Sequence, residues 1–203
     1  MKLEKKLYDQ MFETVKPLLR SGRPGDYTHI KNMYRMLVSS CESEKYAVNP
    51  RVLIPAGILH DCGYGFVRKQ YMRYFTGRQK VSAMKKTAND LTLAYIPIIL
   101  RQFSFSEKEI AEISDTVRHS DEERLSLKDP SMELQILHDL NLYDRFLSHR
   151  LRVMRILYPD LEDVSIMLQK SLANIILPEF KEKAAALMKR FLSEPGLRPG
   201  VER

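Results

Sequence analysis

Histidine is scarce in this chain, with five among 203 residues, at positions 29, 60, 119, 138 and 149. Two of the five are followed at once by an aspartate, giving His60-Asp61 and His138-Asp139. An imidazole beside a carboxylate can bind a metal, move a proton or simply form an ion pair. The first pair closes a run from Val52 to Leu59 that is almost wholly apolar, so it is expected to be buried. A buried carboxylate without a partner costs several kcal/mol, which leaves an ion pair, a hydrogen-bond network or a metal to satisfy it. Asp139 poses the same question. Its neighbours at helical spacing, Ile136, Tyr143 and Phe146, are apolar and turn its carboxylate inward, where a metal or a salt bridge to Arg118, Arg145 or Arg150 would neutralise it.

The elements that must hold these residues read as helices. Leu7, Met11, Phe12, Val15, Leu18 and Leu19 form one apolar stripe, which the cluster of Gly22, Pro24 and Gly25 ends. Asp26 suits the N-cap of a second helix whose inner face is Ile30, Met33, Tyr34, Leu37, Val38 and Cys41, which puts His29 in its first turn. Asn49-Pro50 reads as the cap and first position of a third helix reaching Asp61. Pro55 and Gly57 suit a helix interior poorly, and Val52, Ile54 and Ile58 would also fit a buried strand, but the helix is preferred.

Further on, Val81, Met84, Ala88, Leu91 and Tyr95 mark a helix that Pro97 is expected to bend or end, and Ser106 to Glu109 is a capping box for a helix closed by His119. The longest pattern is expected to start at Asp129-Pro130 and run through Leu137, Leu140, Tyr143, Leu147, Leu151 and Met154 to Pro159. Two helices follow, one over Val164 to Ile176 and one begun by Pro178. The expectation is an all-α, single-domain multi-helix bundle over residues 1–193, with a loose tail over 194–203.

Composition agrees with such a fold. At 44% hydrophobic and 29% charged residues the chain can bury a real core. No apolar run approaches the roughly 20 residues of a membrane span, and the start lacks the apolar stretch of a signal peptide, so a cytoplasmic protein without membrane contact is expected. Cys41 and Cys62 are too few for a disulfide framework or a four-cysteine zinc site and are read as reduced packing residues.

The order of these motifs resembles the HD-domain superfamily of metal-dependent phosphohydrolases. The likeness runs from Asp26-Tyr27-Thr28-His29, through Ile58-Leu59-His60-Asp61-Cys62-Gly63 and Val117-Arg118-His119-Ser120, to Ile136-Leu137-His138-Asp139-Leu140-Asn141. It implies a helical bundle in which His29, His60, Asp61 and Asp139 bind a divalent metal. His138 falls on another face, near Leu134 and Leu142, and is read as a packed or hydrogen-bonded histidine. No histidine lies between Cys62 and Arg118, which favours one metal over two. Arg68-Lys69 stands where alarmone hydrolases of the superfamily carry a Glu-Asp pair, and the Gly-Tyr-Pro signature of cyclic-di-nucleotide phosphodiesterases is absent.

Two imidazoles and two carboxylates suit one divalent transition metal, Mn, Fe, Co, Ni or Zn, better than Mg or Ca. Such an ion acidifies water and polarises a phosphoryl oxygen, so hydrolysis of a phosphate ester or anhydride is the expected chemistry, with Asp61 in the catalytic centre. His119, at a helix end, would contact phosphate or donate a proton to the leaving group, with Asp121 and Glu122 as other proton carriers.

Charge adds a separate clue. No acidic residue occurs between Asp61 and Asp90, while Arg68, Lys69, Arg73, Arg78, Lys80, Lys85 and Lys86 carry +7, equal to the formal net charge of the whole chain. Tyr64, Phe66, Tyr71, Tyr74 and Phe75 are interleaved with them. Arg68, Lys69, Arg73, Arg78 and Lys80 are therefore the expected contacts to a small phosphorylated substrate such as a nucleotide. The alternatives are a protein that binds or processes nucleic acid through residues 68–86, and a regulatory protein with a silent site.

Overall fold

Helices make up all the regular structure of the described residues, and each begins or ends for a local reason. The computed structural model describes residues 3–43, 45–67, 78–157 and 161–193, with backbone alone at 78–82, 155–157 and 161. Helix α1, Lys5–Ser21, buries Tyr8, Met11, Phe12, Val15 and Leu19 on one stripe. The chain turns through Gly25, whose φ of 95° is left-handed backbone that glycine adopts without strain, into α2, Asp26–Glu42. Asp26, expected as the N-cap, is the first helical residue instead, because its carboxylate turns back to Arg23.

Helix α3, Pro50–Leu59, is the centre of the bundle and packs on α1, α2 and two later helices. Asn49 caps it by accepting the Arg51 N–H at 3.0 Å, and Pro50 takes the first position, where no backbone donor is needed. Every α3 residue except Arg51 is buried. The helix forms despite Pro55 and Gly57. Its surroundings decide this, and Leu37 packs into the space that Gly57 leaves, where a Cβ would lie 2.0 Å from Leu37 Cδ1. Each aliphatic side chain buried here contributes about 1.5–3 kcal/mol, enough to outweigh the poor intrinsic propensity of two residues.

A short 3-10 turn, Cys62–Gly65, follows α3, and α4, Arg78–Gln102, crosses it. The crossing is close. A Cβ on Gly63 would lie 1.8 Å from the Ala88 carbonyl oxygen. Pro97 lies inside α4 and does not end it. Helix α5, Glu107–Ser120, opens with the expected capping box, in which Ser106 and Glu109 each accept the other's backbone N–H.

The single long helix expected from Asp129-Pro130 to Pro159 is instead two, α6 at Met132–Asp144 and α7 at Ser148–Leu157, with Ser131 as the cap of α6. Leu140, Tyr143, Leu147 and Leu151 keep a helical spacing across the break, so periodicity alone does not show it. Helices α8, Leu161–Asn174, and α9, Pro178–Ser193, complete the described chain. One connected core of buried apolar residues draws on all nine helices of the described residues. No described helix is long and apolar enough to cross a membrane.

Candidate metal centre

His29 stands in the first turn of α2, and His60 and Asp61 follow the last turn of α3, so the close packing of those two helices brings the three side chains together. All three residues are buried. Each imidazole is fixed by its Nδ1. His60 Nδ1 lies 2.9 Å from the Gly57 carbonyl oxygen, which can only accept, so Nδ1 carries the proton. His29 Nδ1 lies 2.6 Å from Asp144 Oδ2 at the end of α6. Burial pushes the Asp144 carboxyl up, but the nearby His149 ring and the His29 hydrogen bond more than reverse this and hold it well below the carboxylate range. An ionised Asp144 also only accepts, so His29 carries its proton on Nδ1 as well.

The consequence is at the opposite ring nitrogens. His29 Nε2 and His60 Nε2 are 3.2 Å apart, with the rings edge to face at 82°. In neutral imidazoles both nitrogens present lone pairs to each other, an arrangement that calls for a cation or a proton between them. Asp61 Oδ2 lies 3.8 Å from each of the two nitrogens. One ligand atom from each residue falls within 4.8 Å of the others, so His29, His60 and Asp61 could hold a metal ion. Burial lowers the His29 pKa, with Asp144 opposing, which favours the neutral ring that a metal needs.

Asp61 has a second partner. Arg23 Nη2 donates to its Oδ2 at 2.7 Å, while Arg23 Nε donates to Asp26 Oδ1 at 3.0 Å and the guanidinium lies 3.4 Å above the centre of the Tyr64 ring. Burial pushes the Asp61 carboxyl up, but Arg23, His60 and His29 together take it well below the usual range. Asp26 goes the other way, to about 6, because burial and the Asp61 charge outweigh Arg23. The backbone around the pair is held by Thr92, whose Oγ1 accepts the Gly63 N–H at 2.9 Å and donates to the His60 carbonyl oxygen at 3.4 Å.

Asp139, expected as the fourth ligand, is not in this group. Its Oδ1 and Oδ2 accept the Ile176 N–H at 3.1 and 3.0 Å, and Oδ2 accepts the Leu177 N–H at 2.5 Å. It sits at the positive end of α9, fully buried, with His138 Nδ1 2.9 Å away. His119 lies in the last turn of α5, but its Nδ1 is 2.6 Å from Glu122 Oε1 and its Nε2 3.7 Å from Asp115 Oδ1, and it is no member of the group. Asp121 pairs with Lys85 at 2.8 Å.

Arg68, Lys69 and Arg73, with Tyr71, Tyr74 and Phe75, lie outside the described residues. Arg78 and Lys80 belong to the first turn of α4, and their side chains are outside the description as well. Tyr64 is buried under Arg23, and Phe66 packs edge to face on Tyr95 with centroids 5.1 Å apart.

Sequence reasoning missed two residues. Asp144 sits in the same buried stretch of α6 as Asp139, so the criterion that selected one applied to both. Arg23 lies in a Gly-Pro-Gly turn, where no periodicity marks which side chains point inward. Compared with family models, curated proteins and solved structures, the chain shows no significant match.

Proposed function

We propose that this protein is a metal-dependent phosphohydrolase of the HD-domain type, which cleaves a phosphate ester or anhydride of a nucleotide or another small phosphorylated compound. The observation that carries the reading is the pair of Nε2 lone pairs 3.2 Å apart, each fixed by an acceptor on the far side of its ring and both within 3.8 Å of Asp61. Paired imidazoles oriented through a carboxylate and a backbone carbonyl are how proteins prepare histidine for a metal. The donor set of two nitrogens and one carboxylate fits Mn, Fe, Co, Ni or Zn.

Such an ion supplies acidified water and a polarised phosphoryl oxygen. The chain's own residues do the rest. Asp144 keeps His29 in the tautomer that leaves Nε2 free, and Gly57 does so for His60. Asp61 brings the negative charge that lets a dication settle in a buried place. His119, polarised by Glu122, is the proposed proton donor to the leaving group.

Metal analysis of protein purified without chelator is expected to give about one transition metal per chain, and Asp61→Ala none. A phosphate-release screen over nucleotides and sugar phosphates, run with each metal and with Asp61→Ala as the blank, then finds the substrate. No metal in the wild type, even after reconstitution with Mn, Co, Ni and Zn, would overturn the hydrolase reading. That result would favour a regulatory protein with a silent site, in which Arg23 alone neutralises Asp61.

A further inference from the structure

Arg23 is the most exposed member of the buried cluster. Its side chain is 28% exposed, against 10% for Asp61, 3% for His60 and 1% for His29. It therefore lies on the side from which solvent and solutes arrive. The guanidinium is also held firmly. Asp26 accepts its Nε at 3.0 and 3.2 Å and its backbone N–H at 2.7 Å, and the Tyr64 ring supports its flat face at 3.4 Å. Gly22 keeps this anchor in place, since a Cβ there would lie 2.8 Å from Asp26 Oδ2.

Only the Nη2 end is directed at the cluster, and it shares Asp61 Oδ2 with the two imidazoles. An ion bound at His29, His60 and Asp61 competes with Arg23 for that oxygen. Asp26 and Tyr64 prevent the guanidinium from leaving, so two fixed positive charges would then stand side by side at the solvent-facing edge of one small site. An anion with several oxygens relieves both at once, and a guanidinium already bonded through Nε and Nη2 still has N–H donors to offer phosphate oxygens.

We propose that Arg23 is the substrate-binding residue for the phosphoryl group, and that the site accepts a phosphate whose oxygens meet both the metal site and the Arg23 guanidinium. This rests on the metal reading given above. Arg23 reaches the cluster from the turn between α1 and α2.

The test is calorimetric titration of inorganic phosphate into protein loaded with Mn or Co, for the wild type, Arg23→Gln and Arg23→Lys. Arg23→Gln is expected to lose phosphate affinity by about 10- to 100-fold, the share of a charge-assisted hydrogen bond, while metal affinity holds or rises because a competitor for Asp61 is gone. Arg23→Lys, which keeps the charge but not the fork, should fall between the two. Phosphate affinity equal in all three proteins overturns the assignment, and so does a parallel loss of metal and phosphate, which is the mark of a merely structural arginine. Should neither variant fold, the wild type decides: phosphate should slow phenylglyoxal modification of Arg23, read by peptide mass, in the metal-loaded protein and not in the metal-free one. Equal modification with and without phosphate overturns the proposal. Absence of metal uptake by the wild type removes the metal reading and this inference together, whereas metal uptake without any phosphate effect removes this inference alone.

Discussion

The chain contains the dipeptide His-Asp twice, both times buried, and the two carboxylates are satisfied in different ways. At His138-Asp139 the carboxylate accepts the backbone N–H groups of Ile176 and Leu177, and the imidazole donates to the same carboxylate. That aspartate is a structural anion at the start of a helix. At His60-Asp61, among the described residues, no backbone amide reaches the carboxylate. It meets Arg23 and two imidazole nitrogens that face one another. The dipeptide is thus the same and the chemistry is not. What separates the copies is what the neighbouring helices bring: the incoming N-terminus of α9 in one case, and His29 with the Gly22–Gly25 turn in the other.

The sharpest way to break this contrast is to remove each aspartate in turn. Asp61→Ala is expected to lower metal affinity by more than about 100-fold, and Asp139→Ala to leave metal content unchanged; a reversed result, read by metal analysis of both proteins, would move the centre to the second pair. Stability should respond in the opposite sense. Asp139→Ala leaves two N–H groups without their acceptor at about 1–3 kcal/mol each, so its urea midpoint should fall far more than that of metal-free Asp61→Ala.

A milder probe is Asp144→Asn, which permits the wrong tautomer at His29. Metal affinity should drop about 10- to 100-fold with stoichiometry kept, and an unchanged affinity would show that Asp144 does not orient the ring. Thr92→Val removes the hydroxyl that ties Gly63 to His60 and should cost about 1–2 kcal/mol in thermal unfolding, while His138-Asp139 is untouched.

The smallest effect expected concerns neither pair. The hydrogen bond from Arg51, helped by those from Ser106, holds the Glu109 carboxyl down, from 4.5 to about 2, against the upward push of burial. A depressed folded pKa adds stability that is fully present above about 4.5 and lost as the pH falls towards 2. The gap in unfolding midpoint between wild type and Glu109→Gln should therefore close over that window, and a gap that persists at pH 2 would argue against the Arg51 pair.

The helical class was legible because short-range rules fixed it. Asn49-Pro50, the Ser106–Glu109 box and Pro178 mark helix starts that the structure has. The break at residues 145–147 was not legible, since apolar spacing continues through it, and Pro97 does not end α4, which continues past it to Gln102. In the site, His29, His60 and Asp61 could be brought together from motif order. Choosing between Asp139 and Asp144 could not be done that way. Both lie in the buried stretch of α6, and only the position of α9, which shields the first, tells which one reaches His29.

The burial of α3 has a consequence for biosynthesis. A helix apolar on nearly every side leaves the ribosome when only α1 and α2 are there to cover it, while α5 and α6, which close its remaining faces, are still untranslated. The nascent chain must therefore carry Leu53, Ile54 and Ile58 incompletely shielded through the synthesis of roughly 80 further residues, up to the Leu137 that packs near Gly57. A chain cut short after α4 would keep that surface uncovered for good. Premature termination in this region should thus yield an aggregating fragment or a chaperone client, and not a smaller soluble bundle.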